Sequence, residues 1–465
     1  MTTYILGAGP AGMALADGLI SRGDNDFLVI EGQETLGGLA KTIEWEGIGF
    51  HDLGPHKLFT QDKELFKRVK ELLPEDSWLV QEKRSSIFIE GKYLPYPPSP
   101  LSLVGIYGFR KFLSMSFGFL ETKIPKPNGR SAKNFEEDLI NRVGKPLYSI
   151  LFEPIASKIW GLPKNLSTKL SLGRIQTPSI PEIIRNILKI RSSSNFEALE
   201  FHYPRKGLGQ IWDAIYKKCN PSQFVLNASV GGLEVSENRV VSLSFTQNEV
   251  ETRVSITDSD FIVSTLPIML TYTLMAKNMS PNHLEDVKKT VVLNDLILVF
   301  LHIDKKKLFK ESWVFVPDPK VIFHRVSEQD SFDPEMTPNG SIVCIEVMIT
   351  EEKSHLLIDD SLIDMCIRGL NSMGKNDFTV YSSKITVLKK SYPVYKVGYE
   401  EGLNQVVFQL DNVENYRTIG RQGSFNYIGT LDAMDIGYGA AEWLADSNSN
   451  WDAERSRTSN YPVLD

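Results

Sequence analysis

The chain has 465 residues, 42% of them hydrophobic and 23% charged, with a formal net charge of −7. This is the composition of a globular protein long enough for two or three domains, and its sign argues against a general nucleic-acid binder. Cys219, Cys344 and Cys366 form no CxxC pair, which reads as free thiols in a reducing, cytoplasmic setting. The seven histidines are dispersed without HExxH or other metal spacing, so no metal ligands are assigned.

The first elements read strand, turn, helix, strand. Tyr4-Ile5-Leu6 is a short apolar run, and Gly7-x-Gly9-x-x-Gly12 follows at once, with Pro10 and Ala11 inside the turn. Ala11 to Ile20 is apolar and rich in helix formers, and Phe27-Leu28-Val29-Ile30 is a second strand. In such a turn the first glycine permits the bend. The second lets a pyrophosphate approach the backbone, and the third lets helix and strand pack closely. The unpaired N–H groups of the helix N-terminus then face the pyrophosphate. Glu31 closes the second strand roughly 20 residues after Gly12, where an acid accepts hydrogen bonds from a ribose hydroxyl. The pattern predicts a dinucleotide site. The alternative is a glycine turn with a structural role alone.

Gly37-Gly38-Leu39 comes next, and two adjacent glycines allow backbone to lie close against a ligand, or simply form a loop. Ile43-Glu44-Trp45 and Gly49 to Leu53 alternate around Glu46-Gly47, a hairpin signal, and lead into Gly54-Pro55-His56-Lys57. GAGPAGMALA, an acid ending the second strand, the paired glycines and DLGPH together resemble the large group that contains amine oxidases, protoporphyrinogen oxidase, phytoene desaturases and UDP-galactopyranose mutase. That resemblance implies FAD as cofactor and places His56 near the isoalloxazine. Leu39-Ala40-Lys41 departs from the amine oxidases, which carry an arginine just after the glycine pair.

Gln61 to Leu73 reads as an amphipathic helix and Ser86 to Tyr96 as a hairpin turning at Glu90-Gly91. Leu101 to Leu120 is apolar but carries Arg110 and Lys111 at its centre. It is read as an amphipathic helix over a pocket or on a membrane surface, since central charges are costly in a membrane span. Lys123 to Lys133 is an exposed loop, and helical patterns resume from Asn134 to Ile159. Lys158-Ile159-Trp160-Gly161 followed by Leu172-Gly173-Arg174 resembles the eukaryotic-type UDP-galactopyranose mutases, which implies an arginine on a substrate diphosphate at Arg174. Trp160 as core and Arg174 as a surface ion pair is the competing reading.

Tyr203-Pro204-Arg205-Lys206-Gly207 precedes a helix from Gln210 to Lys218. It is either a turn with a cap or the group's cofactor-side Tyr-Pro segment. Phe224 to Val230 is a strand whose end, near Val230, the resemblance brings to the adenine. Phe261 to Pro267, containing Thr265, resembles the strand that returns to the FAD domain. Leu296 to Ile303, Trp313 to Pro317, Val321 to Val326 and Ile342 to Ile349 read as a substrate sheet. WVFVPDPKVIFHRV resembles the mutase segment ending in a second diphosphate arginine, here Arg325. A structural ion pair is again the alternative.

His355 to Gly374 reads as a long helix and Lys384 to Lys390 as a strand. Tyr392-Pro393-Val394-Tyr395 resembles the substrate-side Tyr-Pro stretch. Gly420-Arg421 opens the last FAD segment and leads to Tyr427. Asp435 to Leu444 is the last helix, whose N-terminus the reading turns towards the flavin. The mutases carry an Asn-Gln-Asp-His run after the tyrosine, where this chain has Leu431 to Asp435. Asp446 to Asp465 is polar and reads as a frayed tail.

The expected architecture is α/β. A discontinuous Rossmann-type FAD domain (1–100, 196–290, 397–446) carries a helical insertion (101–195) and a mixed or antiparallel substrate sheet (291–396), and 447–465 is the tail. The expected cofactor set is Gly7, Gly9, Pro10, Ala11, Gly12, Glu31, Gly38, Leu39, Val230, Thr265, Gly420, Arg421 and Asp435. The expected catalytic set is His56, Arg174, Arg325, Tyr392 and Tyr427. The implied partner is a small molecule, with a nucleotide sugar or polysaccharide precursor considered. Two chemistries remain open: an FAD-dependent oxidoreductase, and a redox-neutral isomerase using reduced FAD. With one glycine fingerprint, no second nucleotide domain for NADPH is expected.

Overall fold

The computed structural model of the chain describes residues 1–96, 98–124, 131–174, 200–276, 284–446, 450–459 and 461. The chain opens with strand β1 (Thr3–Leu6), helix α1 (Pro10–Ser21) and strand β2 (Phe27–Ile30). β1 is buried at every position and β2 at all but one. Both therefore read as continuous apolar runs, as strands covered on two faces do. Among the described residues they belong to a five-stranded parallel sheet in the order Tyr416–Thr418, Phe261–Ser264, β1, β2, Phe224–Val225. The Rossmann-type sheet is thus gathered from the start, middle and end of the chain.

α1 packs against the Thr430–Ala445 helix at backbone distance. A Cβ on Gly437 would lie 2.2 Å from the Ala11 carbonyl oxygen and 2.9 Å from the Ala14 Cβ, so glycine alone fits there. The contact seats the last long helix on the first and brings its N-terminal end towards the glycine turn.

A second, seven-stranded mixed sheet runs Val380–Tyr395, Val291–Ile303, Ser341–Ile349, Arg325–Glu328, Trp313–Phe315, Ser85–Ile89, Lys92–Pro95. Its one parallel pair is Trp313–Phe315 with Ser85–Ile89. The alternation of the central strand is clean. Ile297, Val299 and Leu301 face the Asp360–Ser372 helix through Leu362, Cys366 and Leu370. Leu296, Leu298 and Phe300 face Leu53, at the end of the Gly49–Asp52 strand. Cys344 is buried on that second face.

The helical region holds α2 (Lys63–Lys70) and α3 (Pro100–Glu121), then Phe135–Val143, Glu153–Ile159 and Thr168–Arg174. The expected continuation to Arg191 and the centre of the Lys123–Lys133 loop lie outside the described residues.

Four elements differ from expectation. The strand read as Phe224–Val230 is two, because Asn227 adopts φ 54° and redirects the chain. Phe224–Val225 joins the parallel sheet, whereas Ala228–Ser236 starts a three-stranded antiparallel one. Of the Val321–Val326 run only Arg325 onward pairs as a strand. The helix read from His355 begins at Asp360, where the Asp359 carboxylate accepts the Ser361 N–H as an N-cap. The polar tail contains a helix, Trp451–Thr458. Trp451 packs edge-on against Trp443 at 4.9 Å, and Arg455 pairs with Asp411 at 2.7 Å. Trp451 is one apolar anchor in a polar stretch, which composition averages away.

The Gly437 contact is directly testable. Gly437→Val should destabilise the protein by about 1–3 kcal/mol, the usual cost of overpacking, while Gly105→Ala, which meets nothing within 4 Å, should be neutral or stabilising. Denaturant midpoints for the two variants check this, and an unchanged midpoint for Gly437→Val would contradict the packing.

Candidate active site

The glycine turn sits at the C-terminal edge of the parallel sheet. Gly7 adopts φ +101°, and a Cβ there would lie 2.3 Å from Thr265 Oγ1. A Cβ on Gly12 would lie 2.0 Å from the Gly7 carbonyl oxygen. Both are therefore demanded by the protein's own packing. Gly9 is different: its φ is −73°, which any residue adopts, and a Cβ there would meet only the Gly38 Cα at 4.0 Å. The fold itself does not require glycine at that position. A ligand lying against the backbone would.

Gly37 and Gly38 close over this turn. The Gly37 N–H donates to the Ala8 carbonyl at 2.8 Å, and the Trp212 indole N–H donates to the Ala40 carbonyl at 2.7 Å. The Trp212 ring leaves no room for a side chain on Gly37. α1 starts with Pro10 and has neither a capping side chain nor an acid in its first turn, so its N-terminal dipole is available to an anion. Glu31 lies beside it, accepting the Ala8 N–H at 2.7 Å and the Gln33 N–H at 3.0 Å. Burial raises its pKa and these N–H bonds oppose the rise. Lys41, buried, donates to Gln33 and to Thr35 and faces the Glu31 carboxylate. It supplies the cation after the glycine pair that the missing arginine left in question. Thr265 Oγ1 donates to the Leu6 carbonyl at 2.9 Å. A Cβ on Gly420 would lie 3.0 Å from the Ala11 Cβ, so that glycine belongs to the same edge. Val230 follows Ala228, whose N–H donates to the Glu31 carbonyl at 2.8 Å.

The Gly49–Asp52 strand delivers the Gly54-Pro55-His56 segment. It is pinned by the buried Asp52, whose carboxylate accepts Thr42 Oγ1 at 2.5 Å and the Tyr203 hydroxyl at 2.6 Å. Thr42 Oγ1 in turn accepts the Gly209 N–H at 2.8 Å. Burial pushes Asp52 up to about 6. The Tyr203-Pro204 segment therefore acts by holding the His56 loop in place.

His56 stands among cations. Burial first, then Arg325 and Arg421, hold its pKa down at about 4, while the backbones of Leu53 and Leu39 oppose the shift. Its Nε2 is buried without a hydrogen-bond partner among the described residues. Arg421 lies over the rings of Tyr392 and Tyr427, 4.8 and 4.7 Å from their centroids, and donates to the Ile428 carbonyl at 2.5 Å. Tyr392 and Tyr427 meet edge-on at 5.5 Å, and Trp160 meets Tyr427 at 6.2 Å. Trp160 is 9% exposed, and its indole N–H is also buried without a partner. His56, Arg325, Arg421, Tyr392 and Tyr427 thus converge, with Trp160 beside them. Arg421, expected on the cofactor side, stands on the two tyrosines expected on the substrate side.

Two expectations change. Arg325 is not a lone guanidinium: its Nη2 donates to Glu346 Oε2 at 2.7 Å and its Nε to Oε1 at 2.5 Å. The bidentate carboxylate is 1% exposed, so the ion-pair alternative holds at Arg325. Asp435 does not head its helix, which starts after Gly429. The Asp435 side chain pairs with Arg457 at 2.5 Å and accepts the Tyr461 hydroxyl, facing the terminal helix and not the glycine turn. Arg174 ends its helix, and its side chain lies outside the described residues. Glu346 escaped the sequence reading, although one acid inside the apolar run Ile342 to Ile349 was a visible signal. Lys158 is structural: its ammonium donates to the carbonyls of Val316, Asp318 and Phe323 at 2.7, 2.6 and 3.0 Å.

The chain's comparisons agree with this geometry. The family model for the NAD(P)-binding Rossmann-like domain matches residues 5–72. A reduced UDP-galactopyranose mutase structure superposes with a TM-score of 0.84 at 19% identity, covering 99% of this chain and 98% of that one. A structure described as a protoporphyrinogen oxidase, from Exiguobacterium sp. 255-15, gives 0.71 at 15% identity over 95% and 98%. Cyclohexylamine oxidase from Brevibacterium oxydans IH-35A gives 0.65 at 13% over 96% and 99%. The resemblance read in the sequence extends to the fold of nearly the whole chain.

The Arg325–Glu346 pair carries its own test. Arg325→Ala leaves a buried carboxylate uncompensated and should cost on the order of 3 kcal/mol of stability. Arg325→Met with Glu346→Gln should recover most of that loss. Equal stability of Arg325→Ala and the parent, by chemical denaturation, would show that the pair contributes nothing.

Proposed function

We propose that this chain, with the fold shared by amine oxidases, protoporphyrinogen oxidase and UDP-galactopyranose mutase, is an FAD-dependent enzyme acting on a phosphate-bearing small molecule such as a nucleotide sugar. The observation that carries the reading is the convergence of Arg421, Arg325, Tyr392, Tyr427 and His56 next to a turn built for a dinucleotide. The residues suit FAD on the chain's own terms. Gly9 keeps a Cβ-free approach that its own packing does not ask for. The uncapped start of α1 offers N–H groups to a pyrophosphate, and Glu31 stands where a ribose would hydrogen-bond.

FAD, when bound, supplies the redox or nucleophilic chemistry of the reaction. The protein's part is position and charge. Arg421, planar and always charged, can give a phosphate two parallel hydrogen bonds. Tyr392 and Tyr427 hold that guanidinium from two sides and offer hydroxyl donors. Arg325 is held rigid by Glu346, which fixes its fork before a ligand arrives. His56, kept neutral by burial and by the two arginines, is suited to donate or accept a single hydrogen bond at neutral pH.

The broad reading is an oxidoreductase of this group. The redox-neutral reading, with reduced FAD and a sugar-nucleotide substrate, is favoured by one specific observation. A cation and hydroxyls gather on the substrate side, where a departing diphosphate would develop charge. Against strict mutase identity stands the Leu431 to Asp435 run in place of Asn-Gln-Asp-His.

Two measurements test this. Purified protein should be yellow and release FAD on heating, and Gly9→Val should fold as the parent does but bind no FAD. Colourless parent protein that refuses added FAD would sink the cofactor assignment. Arg421→Ala should retain FAD and lose UDP affinity by roughly ten- to a hundredfold, since a charged hydrogen bond contributes about 1.5–3 kcal/mol. If UDP and UDP-sugars leave the flavin spectrum unchanged in the parent, the phosphate-bearing substrate is wrong. Where they do bind, turnover only with pre-reduced flavin and no net oxidation selects the mutase reading, and bleaching of oxidised flavin by substrate selects the oxidoreductase.

A further inference from the structure

α3 (Pro100–Glu121) carries more exposed large apolar side chains than any other element among the described residues. Phe109 is 65% exposed, Leu113 37%, Phe117 63%, Leu120 52% and, just past the helix end, Ile124 65%. They are spaced by four, four, three and four residues, so they form one stripe along one face. The opposite face is committed. Tyr107 and Met115 are buried with Ile87, Ile89, Leu94 and Leu151. Gly118 is pressed against Pro146, whose Cδ would lie 2.7 Å from an added Cβ. The helix cannot roll to hide its stripe. Gly108, with φ 75° and ψ 163°, kinks it just before Phe109, so the striped portion is set off from the first turns.

We propose that this stripe docks on the surface of an anionic lipid bilayer. Charge complementarity selects that occupant. Arg110 and Lys123 are exposed beside the stripe, and Lys111 is exposed on the Glu90 side of the helix. The described residues 98–124 hold three basic residues and one acidic residue, Glu121, in a chain whose net charge is −7. A second copy of the chain would bring like charges face to face, whereas an anionic headgroup layer attracts them. Lys111 also lies 3.7 Å from Glu90, an exposed pair too weak to cancel the patch. No helix among the described residues is long and apolar enough to cross a membrane. α3 therefore lies in the interface, with Phe109 and Phe117 among the acyl chains and its basic residues at headgroup level.

The test is co-sedimentation of the full chain with vesicles of phosphatidylcholine alone or with 30% phosphatidylglycerol. Retention is expected on the anionic vesicles only, weakening as salt is raised. Arg110→Ala with Lys123→Ala should lower the partition roughly 20- to 30-fold, from about fivefold per charge. Phe109→Ser with Phe117→Ser should abolish retention with the circular dichroism spectrum unchanged, since both side chains are exposed. Failure of the parent to bind anionic vesicles overturns the proposal. So does equal binding by the phenylalanine variant. A parent dimer in light scattering that Phe109→Ser with Phe117→Ser dissolves would assign the stripe to a second copy instead.

Discussion

The site depends on backbone approaching backbone. Gly38 lies over Gly9 so closely that a Cβ on Gly38 would sit 3.0 Å from the Gly9 Cα. Besides apolar packing of Ala8, Ala40 and Trp212, three hydrogen bonds fix this arrangement: the Gly37 N–H on the Ala8 carbonyl, the Trp212 indole on the Ala40 carbonyl, and the Ala8 N–H on the Glu31 carboxylate. A side chain at Gly37 or Gly38 would push the second loop away from the first. The loop that follows, through Thr42 and Asp52 to His56, would move with it. The position of His56 is therefore inherited from the glycine turn through hydrogen bonds of known partners, not set by a pocket of its own.

The second sheet answers to the same frame. Leu296, Leu298 and Phe300 pack towards Leu53, which stands next to Asp52. Arg325 pairs across from Glu346 in the sheet register, and Gly54, at φ +102°, brings its backbone near that carboxylate. The sheet thus presents Arg325 to the loop that the glycine turn positions. Tyr392 and Tyr427 arrive from different elements and are joined by Arg421, which hydrogen-bonds the Ser391 and Ile428 carbonyls at 3.4 and 2.5 Å. One guanidinium therefore fixes the spacing of the two tyrosines, and a change there would disturb both hydroxyls at once.

What could be read from residues alone followed locality. The β1–α1–β2 unit was legible because its periodicity, glycines and closing acid lie within one short stretch and each has a local physical cause. The Glu90-Gly91 hairpin was legible for the same reason, and its turn residues take φ 49° and 74°. The strand break at Asn227 was not, since Phe224 to Val230 is apolar throughout most of its length and one left-handed asparagine decides the change of sheet. The terminal helix was missed because its stability comes from Trp451 against Trp443 and from Arg457 on Asp435, contacts that no window of local composition contains. The same contacts explain Asp435: it is drawn to the terminal helix, which the reading had left as a tail.

Arg325 shows where such reading runs out. A single arginine at the end of an aromatic strand is compatible with a ligand site and with an ion pair, and the fold supplies both features at one residue. Glu346 pairs with the guanidinium at 1% exposure, and Arg325 lies near enough to His56 to add to the lowering that burial causes. A guanidinium held by a buried carboxylate is pre-organised, and its remaining donors cost little further ordering when they meet a ligand. Pairing therefore does not remove Arg325 from the site. It changes what the residue contributes, from free positive charge to a fixed hydrogen-bonding direction. Arg421 is instead held by carbonyls and aromatic faces, with no carboxylate paired to it among the described residues. In the function proposed above, Arg421 would select the anion and Arg325 would orient it.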